Sequence, residues 1–444
     1  MSVNWIYGIK SVGFAREAAY GTENTTDGDF AWMPAEIGVP TLARKIEDLK
    51  AATGQVGAHE APVVGSKHGS TFTLKFPLRT FKSGYAPATD AISTAGVLAP
   101  EFLLLANAMG SNAAAIVSAA AMKQGAHLCT VAYSAGDVAS YTAGPPALVT
   151  CTATNPAAGS FLLCSTDVND AAPLRSWCKS ASGHVATLAE VPQNVCAASD
   201  NVWQSATAWL SDALQAPLTI RITGNSATQK LAMISATCTG WTLHLKAGEQ
   251  PMVELAMVAT DWNQYVTGGA LWSYGSFNRM PPILSGNTRD GRLTFGDTSS
   301  GGAVYDGFAD LMIKCDYTMA YIPSHNKQQG VVAAIVTERK LVLTCSVPFD
   351  SVNSFTGSLP YWDNAFETGT AKCLTVTVGD RPGYVFSVYL PAMHLFAQPG
   401  LKDEGGLLYH TLQFRPSRSD AEGTSGAVDA TTTPADAVIK IAAA

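Results

Sequence analysis

Residues 218–262 read LTIRITGNSATQKLAMISATCTGWTLHLKAGEQPMVELAMVATDW, and this stretch decides the fold. Leu218, Ile220 and Ile222 alternate with Thr219 and Arg221. Trp241, Leu243 and Leu245 alternate with Thr242, His244 and Lys246. Val253, Leu255 and Met257 follow the turn Ala247-Gly248-Glu249-Gln250. Period-two alternation puts the apolar side chains on one buried face of a strand, and the glycine turn joins the last two strands as a hairpin. The same order returns later in the chain. Leu374, Val376 and Val378 match the first strand, Val385–Leu390 the second and Leu407–Phe414 the last. One β unit is written twice.

The spacing of prolines tests the repeat. Pro77 and Pro348 stand 271 residues apart and Pro100 and Pro360 stand 260 apart, but Leu218 and Leu374 only 156. The first copy therefore carries about 104 extra residues, inside the interval Asn112–Pro217. Short alternating runs such as ALVTCTAT and GSFLLCSTDV point to a small inserted β domain at Gly125–Asn201, and surface loops tolerate such insertions.

Working outward, Ser11–Thr22 reads as a strand or short arm. Leu42–Gly69 fits either a helix at Arg44–Thr53 or the two arms of a long hairpin with its tip near Gly54–Gly57. Thr71–Leu78 is a clear strand. A helix at Pro100–Met109 starts with proline at its first position, carries Glu101 at its positive end and stops at Gly110. In the second half an arm at Leu311–Tyr321 leads to the polar stretch Pro323–Gly330. Strands follow at Val331–Thr337 and Leu341–Val347, then a helix at Pro360–Glu367. Each copy thus runs arm, hairpin, strand, helix and three strands. The Ala-, Thr- and Gly-rich stretch 421–444 reads as a flexible tail, with Val438–Ile441 able to dock on a neighbour. The expected domains are 1–124 with 202–265, the insertion 125–201, and 266–420.

Composition limits function. The 444 residues are 47% hydrophobic and 14% charged, against about 25% charged in typical domains. That balance suits a protein whose surface is covered by assembly. A net charge of -7 opposes general nucleic-acid binding. No signal-peptide pattern opens the sequence and no apolar run spans a membrane. Nine cysteines without a CxxC pair read as reduced and structural, not as zinc ligands.

Chemistry-bearing motifs are scarce. There is no GxSxG, GxxxxGK[ST], HExxH or GxGxxG. His59-Glu60 sits in a polar loop and reads as a solvated face. TDGD at 26–29 and DVND at 167–170 lack EF-hand spacing. Trp241, Trp262, Trp272, Tyr361 and Trp362 could stack on sugars or bases, but their places in strands and helices make them core or interface residues. Arg44, Lys45, Lys50, Lys67 and His68 are neutralised by Glu47, Asp48 and Glu60. No catalytic residue, metal or cofactor is expected.

Three stretches carry a resemblance. AREAAYGT near the start, the closing hairpin GWTLHLKAGEQPMVELAMVATDW, and the segments from GSFLLCS to SATAWL resemble phage tail tube proteins of long-tailed phages. The likeness covers roughly residues 5–420 and differs from simple tubes in holding two tube units. It implies a mainly β fold: two tail-tube-like β-sandwich or barrel domains, each with one helix and a long hairpin, plus the small inserted domain. It also implies a structural virion protein that stacks as rings into a tube, its partners being itself, other tail proteins at the tube ends and double-stranded DNA passing without specific contacts. Related one-unit tubes form rings of six units, so three chains would close a ring here, with the insertion outside. Thr53, Gly54, Gln55, Gly57, Lys327, Gln328, Gln329 and Gly330 are the expected ring and stacking contacts, within Leu42–Gly69 and Met319–Thr337. Glu47, Asp48 and Glu60 are the expected acidic channel wall, with Glu338 and Asp350 as second-copy candidates. The competing reading is a two-domain β virion protein or adhesin that binds host glycan.

Overall fold

The computed structural model describes residues 11–42, 46–47, 63–64, 68–82, 85–90, 97–110, 129–144, 146–168, 170, 173–190, 192, 194–211, 215–223, 230–246, 248–265, 291–297, 303–304, 308, 310–327, 330–349, 355–356, 359–379, 381–417 and 437–444. The chain is mainly β. Its first part holds β1 (Ser11–Arg16), β2 (Ala31–Met33), β3 (Glu36–Ile37), β4 (Ile46–Glu47), β5 (Val63–Val64), β6 (Ser70–Pro77) and helix α1 (Pro100–Ala108). Then come β7 (Cys129–Val131), β8 (Val138–Thr142), β9 (Leu148–Cys151), β10 (Phe161–Ser165), β11 (Leu174–Ser182), β12 (Val185–Leu188), β13 (Asn201–Trp203) and β14 (Ser205–Trp209). The stretch that decides the fold supplies β15 (Leu218–Thr223), β16 (Lys230–Lys246), β17 (Met252–Ala259) and β18 (Asp261–Tyr265). The second part holds β19 (Gly291–Asp297), β20 (Ala303–Val304), β21 (Asp310–Pro323), β22 (Val331–Pro348), β23 (Phe355–Thr356), β24 (Leu359–Pro360) and helix α2 (Tyr361–Thr368). It ends with β25 (Lys372–Val378), β26 (Phe386–Leu395), β27 (Gly400–Glu404), β28 (Leu407–Ser417) and β29 (Lys440–Ala443).

The pairing of these strands is the same twice over. In the first copy hydrogen bonds lead from β2 to β1, β15, β16, β17, β6 and β3. In the second they lead from β20 to β19, β25, β26, β28, β22 and β21. Every step is antiparallel, and each strand has its counterpart at the same place in chain order. Pro77 and Pro348 end matching strands: Pro77 faces Met252 and Pro348 faces Tyr409. Proline has no N–H for a ladder, so it suits the last position of a strand. One sequence equivalence changes. The counterpart of Ser11–Arg16 is β19, not the arm at Leu311–Tyr321, which instead matches the segment from β3 onward.

Both helices lie where the prolines and glycines place them. Gly110 and Gly369 follow them with φ of 77° and 61°, the left-handed conformation that ends a helix. Nearly all of α1 is buried, as expected of a helix apolar all round. Glu101 is buried too, and Arg79 meets its carboxyl at 2.9 Å. The ambiguity at Leu42–Gly69 resolves at its base: Ile46 pairs with Val64 and Glu47 with Val63, as the arms of a hairpin do.

Val331–Pro348 is one strand of 18 residues, not two. With β21 it makes a hairpin whose inner half alternates buried and exposed residues, while both faces of its outer half are largely open. The two copies share a single hydrophobic core running from Val12 to Ile441, so they are not separate globules.

The insertion forms its own six-stranded sheet, β13-β10-β11-β12-β9-β8. β7, expected within it, belongs to the main sheet through β14. One face encloses a small core of Val149, Leu162, Leu174, Ala186 and Val202 with four cysteines. The other packs on the second copy, where Phe161, Leu163, Trp177 and Trp203 meet Val385, Tyr389 and Ala442. Trp177 Nε1 donates to Ser387 Oγ at 2.8 Å, and Arg175 donates to the Gly379 carbonyl.

The stretch 421–444 is not wholly a free tail. Residues 440–443 pair with β14 on one side and β26 on the other, and Ile439, Ile441, Ala442, Ala443 and Ala444 are buried. The Val438–Ile441 run, read as able to dock on a neighbour, docks within its own chain, with Lys440 and Ile441 buried.

Candidate functional site

The two copies meet strand to strand. The outer half of β16 has β17 on one side and β21 on the other, with Gly240–Lys246 facing Asp310–Asp316 in antiparallel register. Trp241, Leu243 and Leu245 from the first copy and Leu311, Ile313 and Cys315 from the second all point into the shared core. Gly240 sits at the closest approach: a Cβ there would lie 3.1 Å from the Cys315 carbonyl oxygen and 3.2 Å from Asp316 Oδ1. Its place before Trp241 therefore has a steric cause.

A buried relay locks this joint. Trp241 Nε1 donates to Tyr317 Oη at 2.8 Å, and Tyr317 Oη donates to the Ala108 carbonyl at 2.7 Å. Ala108 closes α1, where carbonyls lack helical partners. Burial pushes the Tyr317 phenol well above its ordinary value, so it stays protonated and able to donate. The second copy's hairpin thus grips the first copy's strand and helix at once. Near the hairpin's tip, the His68 and Tyr321 rings meet edge to face, with centroids 4.3 Å apart.

A second buried cluster sits behind β1. Glu17 is sealed in, accepting from Ser235 N at 2.6 Å and Thr219 Oγ1 at 2.9 Å, with its other oxygen on Ser235 Oγ. Ser235 has φ 48°, a left-handed conformation that a side chain resists, and these bonds hold it there. Burial raises the Glu17 carboxyl to about 7, against the lowering effect of its hydrogen bonds to Ser235 and Thr219.

Of the residues singled out in the sequence, Lys327 and Gly330 lie at the tip of the β21–β22 hairpin, where Gly330 N donates to the Lys327 carbonyl at 2.8 Å. Glu338 lies exposed on the same hairpin, within 3.5 Å of Thr318 Oγ1. Glu47 falls on β4, its side chain outside the described residues. Thr53, Gly54, Gln55, Gly57, Gln328, Gln329, Asp48, Glu60, Asp350 and Trp272 also lie outside them. Trp241 and Trp362 are buried, and Tyr361 and Trp262 pack against the core. The TDGD stretch is a short turn whose Asp27 meets Arg221 at 2.5 Å. Among the described residues no three His, Cys, Asp or Glu cluster as metal ligands do, and no helix is long and apolar enough to cross a membrane. Eight described cysteines are buried.

The joint itself, Tyr317 and the Glu17 cluster were not readable as functional features beforehand. They depend on residues about 70 to 220 positions apart. The one local sign was the Gly240-Trp241 pair, a small residue beside a large one at a strand crossing. Among protein-family models and curated protein sequences, none matches this chain.

Proposed function

We propose that this chain is a structural virion protein that assembles with itself into stacked rings, forming the tube of a phage tail through which double-stranded DNA leaves. The observation that carries the reading is the repeated β unit joined edge to edge by β16 and β21. A unit that continues its sheet into a copy of itself once has the geometry to do so again. Two units per chain make three chains the expected ring, with a pseudo-sixfold arrangement. The long β21–β22 hairpin, open on both faces at its outer half, is suited to reach a neighbouring ring. The insertion packs its Phe161–Trp203 face on the second copy and belongs on the outside of such a tube, as three knobs per ring.

DNA carries about one negative charge per 1.7 Å of its axis. A channel wall that is acidic on balance would keep it centred without holding it, an effect confined to about 8 Å at physiological salt. Burial of Trp241 and Trp362 removes two of the aromatics on which a glycan-binding reading would draw.

Negative-stain imaging of concentrated protein tests the proposal. Hollow tubes with three chains per ring are expected. Six chains per ring would refute the stoichiometry, and stable monomers that bind a glycan array would refute the function. Bulky charged residues at Gln328–Gly330 or Thr53–Gly57 should block stacking while each ring stays intact.

A further inference from the structure

The β16–β21 joint has two halves, and each half has a counterpart elsewhere in the chain. The counterpart of outer β16 is β27, which continues β26 and pairs with β28 as β16 pairs with β17. Where β21 covers β16, the described residues place no strand against the other edge of β27. The counterpart of β21 is the arm Glu36–Thr41, which runs along β6 as β21 runs along β22. Its pairs are Glu36 with Lys75, Ile37 with Leu74, and Thr41 with Thr71. The outer edge of this arm likewise meets no strand among the described residues.

Each edge carries an exposed apolar residue, Val39 on the arm and Leu401 on β27, although β27 also carries Asp403 on the face of Leu401. On β28, Leu412 and Phe414 point into the core, so Leu408 and His410 continue that face outward, with Leu401 opposite His410. Leu401 is 59% exposed and Leu408 43%. On the arm, Ile37 packs on the core and Val39, on the same face, is 79% exposed. Leu401 occupies on β27 a place of the kind that Trp241, Leu243 and Leu245 hold on β16, where Leu311 and Ile313 cover them, while Leu408 lies beside it on β28, opposite Asp403. Large aliphatic residues left in water along an unpaired edge are otherwise an aggregation hazard that proteins avoid.

We infer that a second copy of this chain lays its Glu36–Thr41 arm antiparallel along β27, Gly400–Glu404, so that the joint made once within each chain is made again between chains. The two edges differ, so the contact is head to tail and closes into a ring or runs on as a filament. This deepens the ring reading proposed above and rests on it for closure.

Two substitutions at exposed positions test the joint: Val39→Glu and Leu401→Glu. Each places a charge where apolar contact should form, and each leaves the other edge intact. Analytical ultracentrifugation of either variant alone should show only monomer, with circular dichroism and melting temperature as in the wild type. An equimolar mixture should form a dimer and stop there, because one good arm meets one good β27 edge and the remaining two edges are blocked. Self-association of either folded variant at wild-type strength overturns the joint, as does a mixture that stays monomeric. Wild-type rings unaffected by both substitutions would remove the joint and keep the ring reading. Open filaments that both substitutions abolish would keep the joint and remove the ring.

Discussion

Tyr317→Phe isolates what the internal joint gains from its relay. The substitution deletes one oxygen and leaves the ring in place. It strips Trp241 Nε1 of its acceptor at 2.8 Å in the buried core, while the Ala108 carbonyl loses its 2.7 Å donor but keeps Gln215 Nε2 at 3.3 Å. A buried polar group left without a partner costs about 1–3 kcal/mol, and Trp241 Nε1 is the one group so left. Unfolding entropy is about 2.1 cal/mol/K per residue, or ~0.9 kcal/mol/K for a chain of this length unfolding as one unit. The continuous core supports that single unit. The melting temperature should therefore fall by about 1–3 °C in differential scanning calorimetry. Tyr321→Phe, in the same hairpin, keeps its ring contact with His68 and serves as the control. Amide exchange should quicken along Asp310–Asp316 in the first variant and not in the second. Equal melting of the two variants, with unchanged exchange, would mean that apolar packing alone holds the copies together.

Other perturbations have equally definite outcomes. The folded Glu17 carboxyl, raised by burial from 4.5 to about 7, binds a proton more tightly than the unfolded one. Its contribution is full below about pH 4.5 and is lost as pH rises through about 7, so wild type should lose melting temperature relative to Glu17→Gln over that window; a constant gap would contradict it. Gly379→Ala should disrupt the β25–β26 turn, because φ there is 100° and a Cβ would lie 1.8 Å from the Tyr384 carbonyl oxygen; soluble protein with native circular dichroism would refute this. Deleting residues 437–444 exposes the edges of β14 and β26 and removes the buried Ile439 and Ile441. At about 1.5–3 kcal/mol for each side chain, the loss of ~3–6 kcal/mol should appear as faster proteolysis, and unchanged protease resistance would contradict the docking.

The strands that were legible are those with one wet face. Thr71–Leu78 and Leu341–Val347 alternate because one side of each meets water. The first half of β16, KLAMISAT, is buried on both faces and shows no alternation, so sequence reading reached this strand only from Trp241 onward. The helices were legible through Pro100, Gly110 and Gly369. The repeat was legible because order and spacing survive in one dimension. The joint was not, since it pairs Trp241 with Cys315 and no local pattern links two such strands. The apolar run Val438–Ile441 showed that this segment could dock, but not that its partners are β14 and β26 of the same chain, which lie far off in sequence. The exposure of Val39 gains a meaning only from the counterpart role of β21.

Carrying both units on one chain alters the statistics of assembly. The internal joint forms at a local concentration set by the connecting segment and does not dissociate on dilution. If the second joint forms between chains as inferred, a closed ring needs fewer than half as many bimolecular encounters as one built from single units. Each avoided encounter spares the translational and rotational freedom that association otherwise costs, several kcal/mol at least. Nucleation, the slowest stage when a ring must be collected piece by piece, then starts from a particle that already contains one finished contact. The covalent link also frees the two contacts from having to be identical, so one can be tuned for permanence and the other for the concentration at which growth begins.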